Sequence, residues 1–140
     1  MKRPFLSVRG LCFQAGLSAL LLFATLAIAS GFKTEVSNDG GVMVEVTPAQ
    51  LATGQAPRFE VQLNTHSVPL EQDLTTVSIL RDDKGREYKP LAWDGSPPGG
   101  HHRRGTLVFP ELSGPVTSVT LTIRDVAGVA ARDFTWQITP

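Results

Sequence analysis

Cysteine is nearly missing: the 140 residues contain one, Cys12. A disulfide framework is therefore excluded, and so is any site built on several thiolates. An excess of one charge is missing too. Thirteen Lys and Arg stand against thirteen Asp and Glu, so there is no basic footprint for a nucleic-acid partner. Aromatics are sparse at 7%, and no long amphipathic helix pattern or internal repeat is present. A Gly-x-Ser-x-Gly elbow, a phosphate-binding loop and a dinucleotide fingerprint are all lacking. What remains is a chain of one-domain length with 41% hydrophobic residues. That is enough for a core and too much for a disordered chain.

The one long uncharged run is N-terminal. Lys2, Arg3 and Arg9 precede Gly16 to Ala29 (GLSALLLFATLAIA), which ends in the small-x-small triplet Ala27-Ile28-Ala29. A positive start, an apolar run and a small-residue site read as a secretory signal peptide over residues 1–29. The alternative is a retained inner-membrane anchor over residues 10–29. The densely apolar part falls short of the roughly 20 residues that a spanning helix needs. Cys12 precedes the apolar run, which argues against a lipid-modified cysteine. Cleavage removes Cys12 and three basic residues, leaving a mildly acidic domain whose core alone must hold it. Export to the periplasm or the cell exterior follows from this reading.

Residues 30–40 are polar and glycine-containing and read as a flexible tether, with residues 41–140 as one domain. Period-two alternation with β-branched and aromatic residues runs through seven segments. These are Val42 to Val46, Arg58 to Asn64, Thr76 to Leu80, Arg86 to Trp93, Thr106 to Phe109, Val119 to Arg124 and Asp133 to Ile138. Pro90 suits an edge or a bulge, and Asp82-Asp83-Lys84-Gly85 suits a tight turn. The expected fold is all-β, a seven-stranded antiparallel immunoglobulin-like β-sandwich, with a small barrel as the alternative. Trp93 and Trp136 fit core or rim positions.

Three segments carry a resemblance: Leu63-Asn64-Thr65-His66-Ser67, Leu80-Arg81-Asp82-Asp83, and Trp93-Asp94-Gly95-Ser96-Pro97-Pro98-Gly99-Gly100-His101-His102-Arg103. They resemble a group of small exported prokaryotic all-β proteins to which no activity is attached. The resemblance covers about residues 41 to 138. It implies an exported all-β domain and assigns no functional residue.

All three histidines lie outside the expected strands. In an antiparallel sandwich alternate loops share an end, so residues 65–74, 94–105 and 125–131 belong at one pole, and the tether enters there. His66, His101 and His102 then gather with Asp94, and with Glu71, Asp73 and Asp125. Imidazoles with a carboxylate are the ligand types of Zn²⁺ and Cu²⁺. Structural hydrogen bonding and a pH-dependent contact are the other uses of such a group. Arg103 and Arg104 form a candidate anion or partner contact, set against two solvated charges pairing with Asp94 or Glu111. No arrangement points to catalysis. The expected function is a cell-envelope binding or interaction module, not an enzyme, whose partner is an envelope protein or small ligand. The alternative is a periplasmic Zn- or Cu-binding protein using the histidine pole. A membrane enters only through a retained N-terminal segment.

Overall fold

Alternation at period two builds every long element of the protein, seen here in a computed structural model that describes residues 31–138. The leader reading lies outside the described residues. The strands are β1 (Glu35–Asp39), β2 (Val42–Gln50), β3 (Arg58–Thr65), β4 (Ser78–Asp82), β5 (Glu87–Tyr88), β6 (Ala92–Gly95), β7 (His102–Val108), β8 (Ser118–Val126) and β9 (Val129–Gln137). One helical turn, α1 (Leu74–Val77), precedes β4. The strands form two antiparallel sheets, ordered β1-β2-β3-β7-β6 and β5-β4-β8-β9. The chain changes sheet three times: through α1, between β5 and β6, and between β7 and β8.

The inward residues of both sheets meet in one core. Val42, Val44 and Val46 of β2, Phe59, Val61 and Leu63 of β3, and Leu121 and Ile123 of β8 are fully buried. The ring of Phe59 stands edge-on to Phe109 at 5.7 Å and lies 5.3 Å from Trp136. Trp136 also donates from Nε1 to the Lys33 carbonyl at 2.8 Å. It thereby fixes the first described residues to the last strand.

Three expectations need correction. Residues 35–39 are not tether but β1, in register with β2 from Glu35↔Val46 to Asp39↔Val42. The turn between them is Gly40-Gly41, with φ +58° and +76°, the left-handed pair that a two-residue hairpin demands. Because β1 runs toward this turn, residues 31–34 lie at the pole opposite the histidines. The segment Arg86 to Trp93 is not one strand. β5 pairs with β4, and the chain then crosses to place β6 beside β7. Pro90, which has no N–H, stands at the crossing. Finally, the faces of β4 are reversed. Ser78, Leu80 and Asp82 point inward and Ile79 is half-buried on the outside, while Val77 ends α1 and packs, partly buried, against the core.

The reversal is held from both ends. Asp73 caps α1, accepting from the Thr75 N–H at 2.9 Å. At the other end the Asp82 carboxylate is enclosed. Its Oδ1 accepts from the N–H groups of Lys84 (2.9 Å) and Arg86 (3.0 Å). Its Oδ2 accepts from Arg86 Nε (2.7 Å) and the Tyr88 hydroxyl (2.9 Å). The Tyr88 oxygen in turn accepts from the Ser113 N–H at 3.1 Å, which ties down the loop before β8. Burial pushes the Asp82 carboxyl up, but the donors from Arg86, Tyr88 and Lys84 outweigh it and hold the group below its ordinary range.

The sign of the pH effect follows. A carboxyl lowered on folding contributes stability above the usual Asp value of about 3.9 and loses it as pH falls further. We expect Asp82→Asn to lower Tm near neutral pH and to shrink the Tm drop between about pH 5 and about pH 2.5. Thermal melts across that range check this; a parallel drop in both proteins contradicts it.

Candidate functional site: the histidine pole

The loops after β3, β6 and β8 and the β1–β2 turn meet at one end of the sandwich. The Thr65 N–H donates to the His101 carbonyl at 3.0 Å. The Leu70 N–H donates to Gly100 O (3.1 Å), and the Gly99 N–H returns a bond to Leu70 O (2.8 Å). Thr65 Oγ1 donates to Gly41 O at 2.9 Å. Gln72 Nε2 donates to Asp125 O at 3.2 Å, joining the loop after β3 to the end of β8.

Two buried arginines hold this end from beneath. Arg103, 2% exposed, donates from Nη1 to the carbonyls of Leu70 (3.2 Å) and Gln72 (2.6 Å) and from Nη2 to Ser96 O (3.4 Å). Arg132, 3% exposed, donates from Nη1 to Ser37 Oγ (2.8 Å) and Val42 O (3.4 Å). Its Nη2 reaches Asp39 O (2.8 Å) and Val126 O (3.4 Å). Neither makes an ion pair with a carboxylate among the described residues. Burial lowers the basicity of both guanidiniums; Asp73 and Glu71 oppose this for Arg103, and Asp39 for Arg132. Both stay charged.

The Trp-Asp-Gly and Arg-Arg-Gly segments are explained by packing. Gly95 and Gly105 face each other on β6 and β7. A Cβ on Gly105 would sit 2.6 Å from Asp94 O and 2.8 Å from the Trp93 ring. The glycines thus leave room for the indole. Its Nε1 donates to Ser96 O at 2.7 Å, and the Arg103 guanidinium lies 5.7 Å from its centre.

The pole exposes His66, His101 and His102. The Nδ1 of His102 shares a hydrogen bond with Asn64 Oδ1 at 2.9 Å. Asp94 stands apart. It lies opposite Thr106 on β7, four residues or about 13 Å along the strand from His102. Among the described residues no group of three or more His, Cys, Asp or Glu side chains is arranged to hold a metal ion. Arg103 is not a solvated charge or a free contact group, because it is buried and its Nη1 and Nη2 donate to main-chain carbonyls inside the pole. Arg104 is exposed and reaches Gln62 Oε1 at 3.2 Å.

Sequence reading missed Arg132 and the inward role of Arg103. A signal existed: both sit in phase with apolar positions, Arg132 with Phe134, Trp136 and Ile138, and Arg103 with Leu107 and Phe109. A second feature also went unseen. On the outer face of the β5-β4-β8-β9 sheet, a hollow of about 200 Å³ is lined by Thr75, Thr76, Val77, Ser78, Ile79, Lys89 and Arg124.

Arg103→Met would strand the Gln72 carbonyl and take one of two donors from Leu70 O and from Ser96 O, costing about 2–4 kcal/mol, while Arg104→Met should cost under about 0.5 kcal/mol. Denaturant unfolding distinguishes them, and equal losses would contradict the clamp. No protein family, curated protein or solved structure matches this chain.

Proposed function

We propose that the chain is exported and folds as an immunoglobulin-like domain that works as a non-enzymatic interaction module of the cell envelope. The strand order supports the fold. Counted from β2, the orders β2-β3-β7-β6 and β4-β8-β9 match the immunoglobulin orders A-B-E-D and C-F-G. β1 and β5 are then additions at the margins. The composition and leader of the sequence support export.

One observation carries the interaction reading: the two lateral sides of the sandwich are treated differently. On one side β1 and β9 are full-length strands stapled by Arg132 and by the Trp136–Lys33 bond, with Val36 exposed on β1. On the other side β5 stops after two residues, the chain crosses at Pro90, and Leu91 is left 69% exposed. Short edges and prolines blunt unwanted pairing. A large aliphatic side chain beside such an edge is suited to a chosen partner that adds a strand there.

A photo-crosslinking residue at Leu91 tests this in envelope extract, with Thr135 on the outer face of β9 as control. The expected result is a discrete adduct from position 91 and none from 135. Absence of an adduct at 91, or the same products from both positions, would contradict the reading.

A further inference from the structure

The open edge of β1 is complementary to itself, and we propose that it pairs antiparallel with β1 of a second copy of this chain, in a two-fold contact centred on Val36. This goes beyond the interaction reading above and uses the opposite lateral side.

The phase of the main chain opens this edge. The two-residue Gly40-Gly41 turn closes on Asp39 and Val42 as a hydrogen-bonded pair, and the register carries the same phase to Ser37 and Glu35. The next strand agrees: Thr65, which stands opposite Val42, turns its N–H away from it to His101 O. Val36 and Asn38 therefore direct their N–H and C=O groups away from β2. β1 is the margin of its sheet, and among the described residues nothing receives these groups. Arg132 and Trp136 do not cover them, because they reach Ser37, Asp39 and Lys33, all in the other phase.

Neither a bulge nor a proline blunts this edge. β1 keeps one register with β2 throughout, and Val36 is left 53% exposed. Thr34 continues the strand, with Oγ1 bonded to Thr47 Oγ1 at 2.7 Å, and Phe32 then packs against the core. The free edge thus runs over residues 33–39. β9, the other margin on this side, turns the charged Arg132 inward, which discourages pairing.

Charge selects both the occupant and the register. Edge groups of one phase meet only groups of the same phase, which leaves two-fold registers centred on residue 35, 36 or 37. Centring on 35 sets Glu35 against the partner's Glu35. Centring on 37 sets Glu35 against the partner's Asp39, twice over. Centring on 36 opposes no two carboxylates. Val36 meets the partner's Val36, Thr34 meets the partner's Asn38, and Lys33 meets the partner's Asp39 at each end. The Lys33 side chain is 82% exposed and also pairs with Glu35 of its own strand at 3.5 Å, so each end holds one cation between two carboxylates. Paired β-branched residues and opposite charges stabilise such a contact, and like charges oppose it. The complement that this edge needs is its own sequence reversed, and a second copy supplies that.

The test is oxidative crosslinking of the full chain carrying Cys12→Ser, so that an introduced thiol is the only one. Protein at about 0.5 mM is used, since a contact of this size belongs to the weak class. Val36→Cys should give a disulfide-linked dimer, because facing Cα atoms of a hydrogen-bonded pair stand about 5.5 Å apart. Asn38→Cys should give none, because its two thiols would stand four residues or about 13 Å apart along the strands. Sedimentation equilibrium of charge variants gives a second reading. Lys33→Asp should weaken self-association at least about tenfold, and adding Asp39→Lys should recover most of that loss. The substituted side chains are exposed, and unchanged melts confirm folding. No dimer from Val36→Cys, as much dimer from Asn38→Cys, or self-association indifferent to charge reversal overturns the proposal. Each of these outcomes leaves the Leu91 reading standing.

Discussion

A guanidinium inside a protein must find acceptors, because stripping its water without replacement costs several kcal/mol. In this chain two of them find main-chain carbonyls at one end of a β-sandwich. Arg103 takes those of Leu70, Gln72 and Ser96, and Arg132 takes those of Asp39, Val42 and Val126. Three of these carbonyls lie in the loops after β3 and β6, and the other three stand where β1, β2 and β8 meet the β1–β2 and β8–β9 turns. Such loops carry few hydrogen bonds of their own, and a Pro-Pro-Gly-Gly stretch has fewer still. The arginines convert them into one cap. Everything at that pole depends on this: the Thr65–His101 bond, the seating of Gly99 against Leu70, and the fixed positions of the exposed histidines.

The same economy explains the two sides. The core packs whichever way the margins are finished, so each margin is free to serve another end. On the β1–β9 side, an inward-pointing arginine on one edge strand and an indole bonded to Lys33 tie the two edges together, with Val36 left exposed on β1. On the β5–β6 side, the chain gives up a strand halfway, and α1 with the Asp82 network turns Ile79 outward. A polar knot at one place thereby sets the character of a surface several residues away. The function proposed for the protein rests on that asymmetry.

Much of the architecture is legible in the residues. Phe59, Val61 and Leu63, or Phe134, Trp136 and Ile138, announce their strands by alternation alone, and Gly85 marks its turn. What hides is where a polar residue occupies an apolar phase. Asp82 continues the inward phase of Leu80, and a reading by hydrophobicity assigns Ile79 to the core instead. Arg103 reads as half of a charged pair until its parity with Leu107 and Phe109 is noticed. The Gly40-Gly41 pair is a hairpin signal, but the polar segment before it looks like a linker. The meeting of the histidine-bearing loops follows from strand direction. Their side-chain geometry does not, since it depends on register, and register places Asp94 opposite Thr106 and far from His102.

Amide hydrogen exchange under native conditions tests the central claim most directly. If the two guanidiniums lock the pole, the N–H groups of Thr65, Leu70 and Gly99 exchange only through global unfolding, at the same free energy as the amides of Val61 and Leu121 in the core. Exchange of these three loop amides through local opening, well ahead of the core, would contradict it.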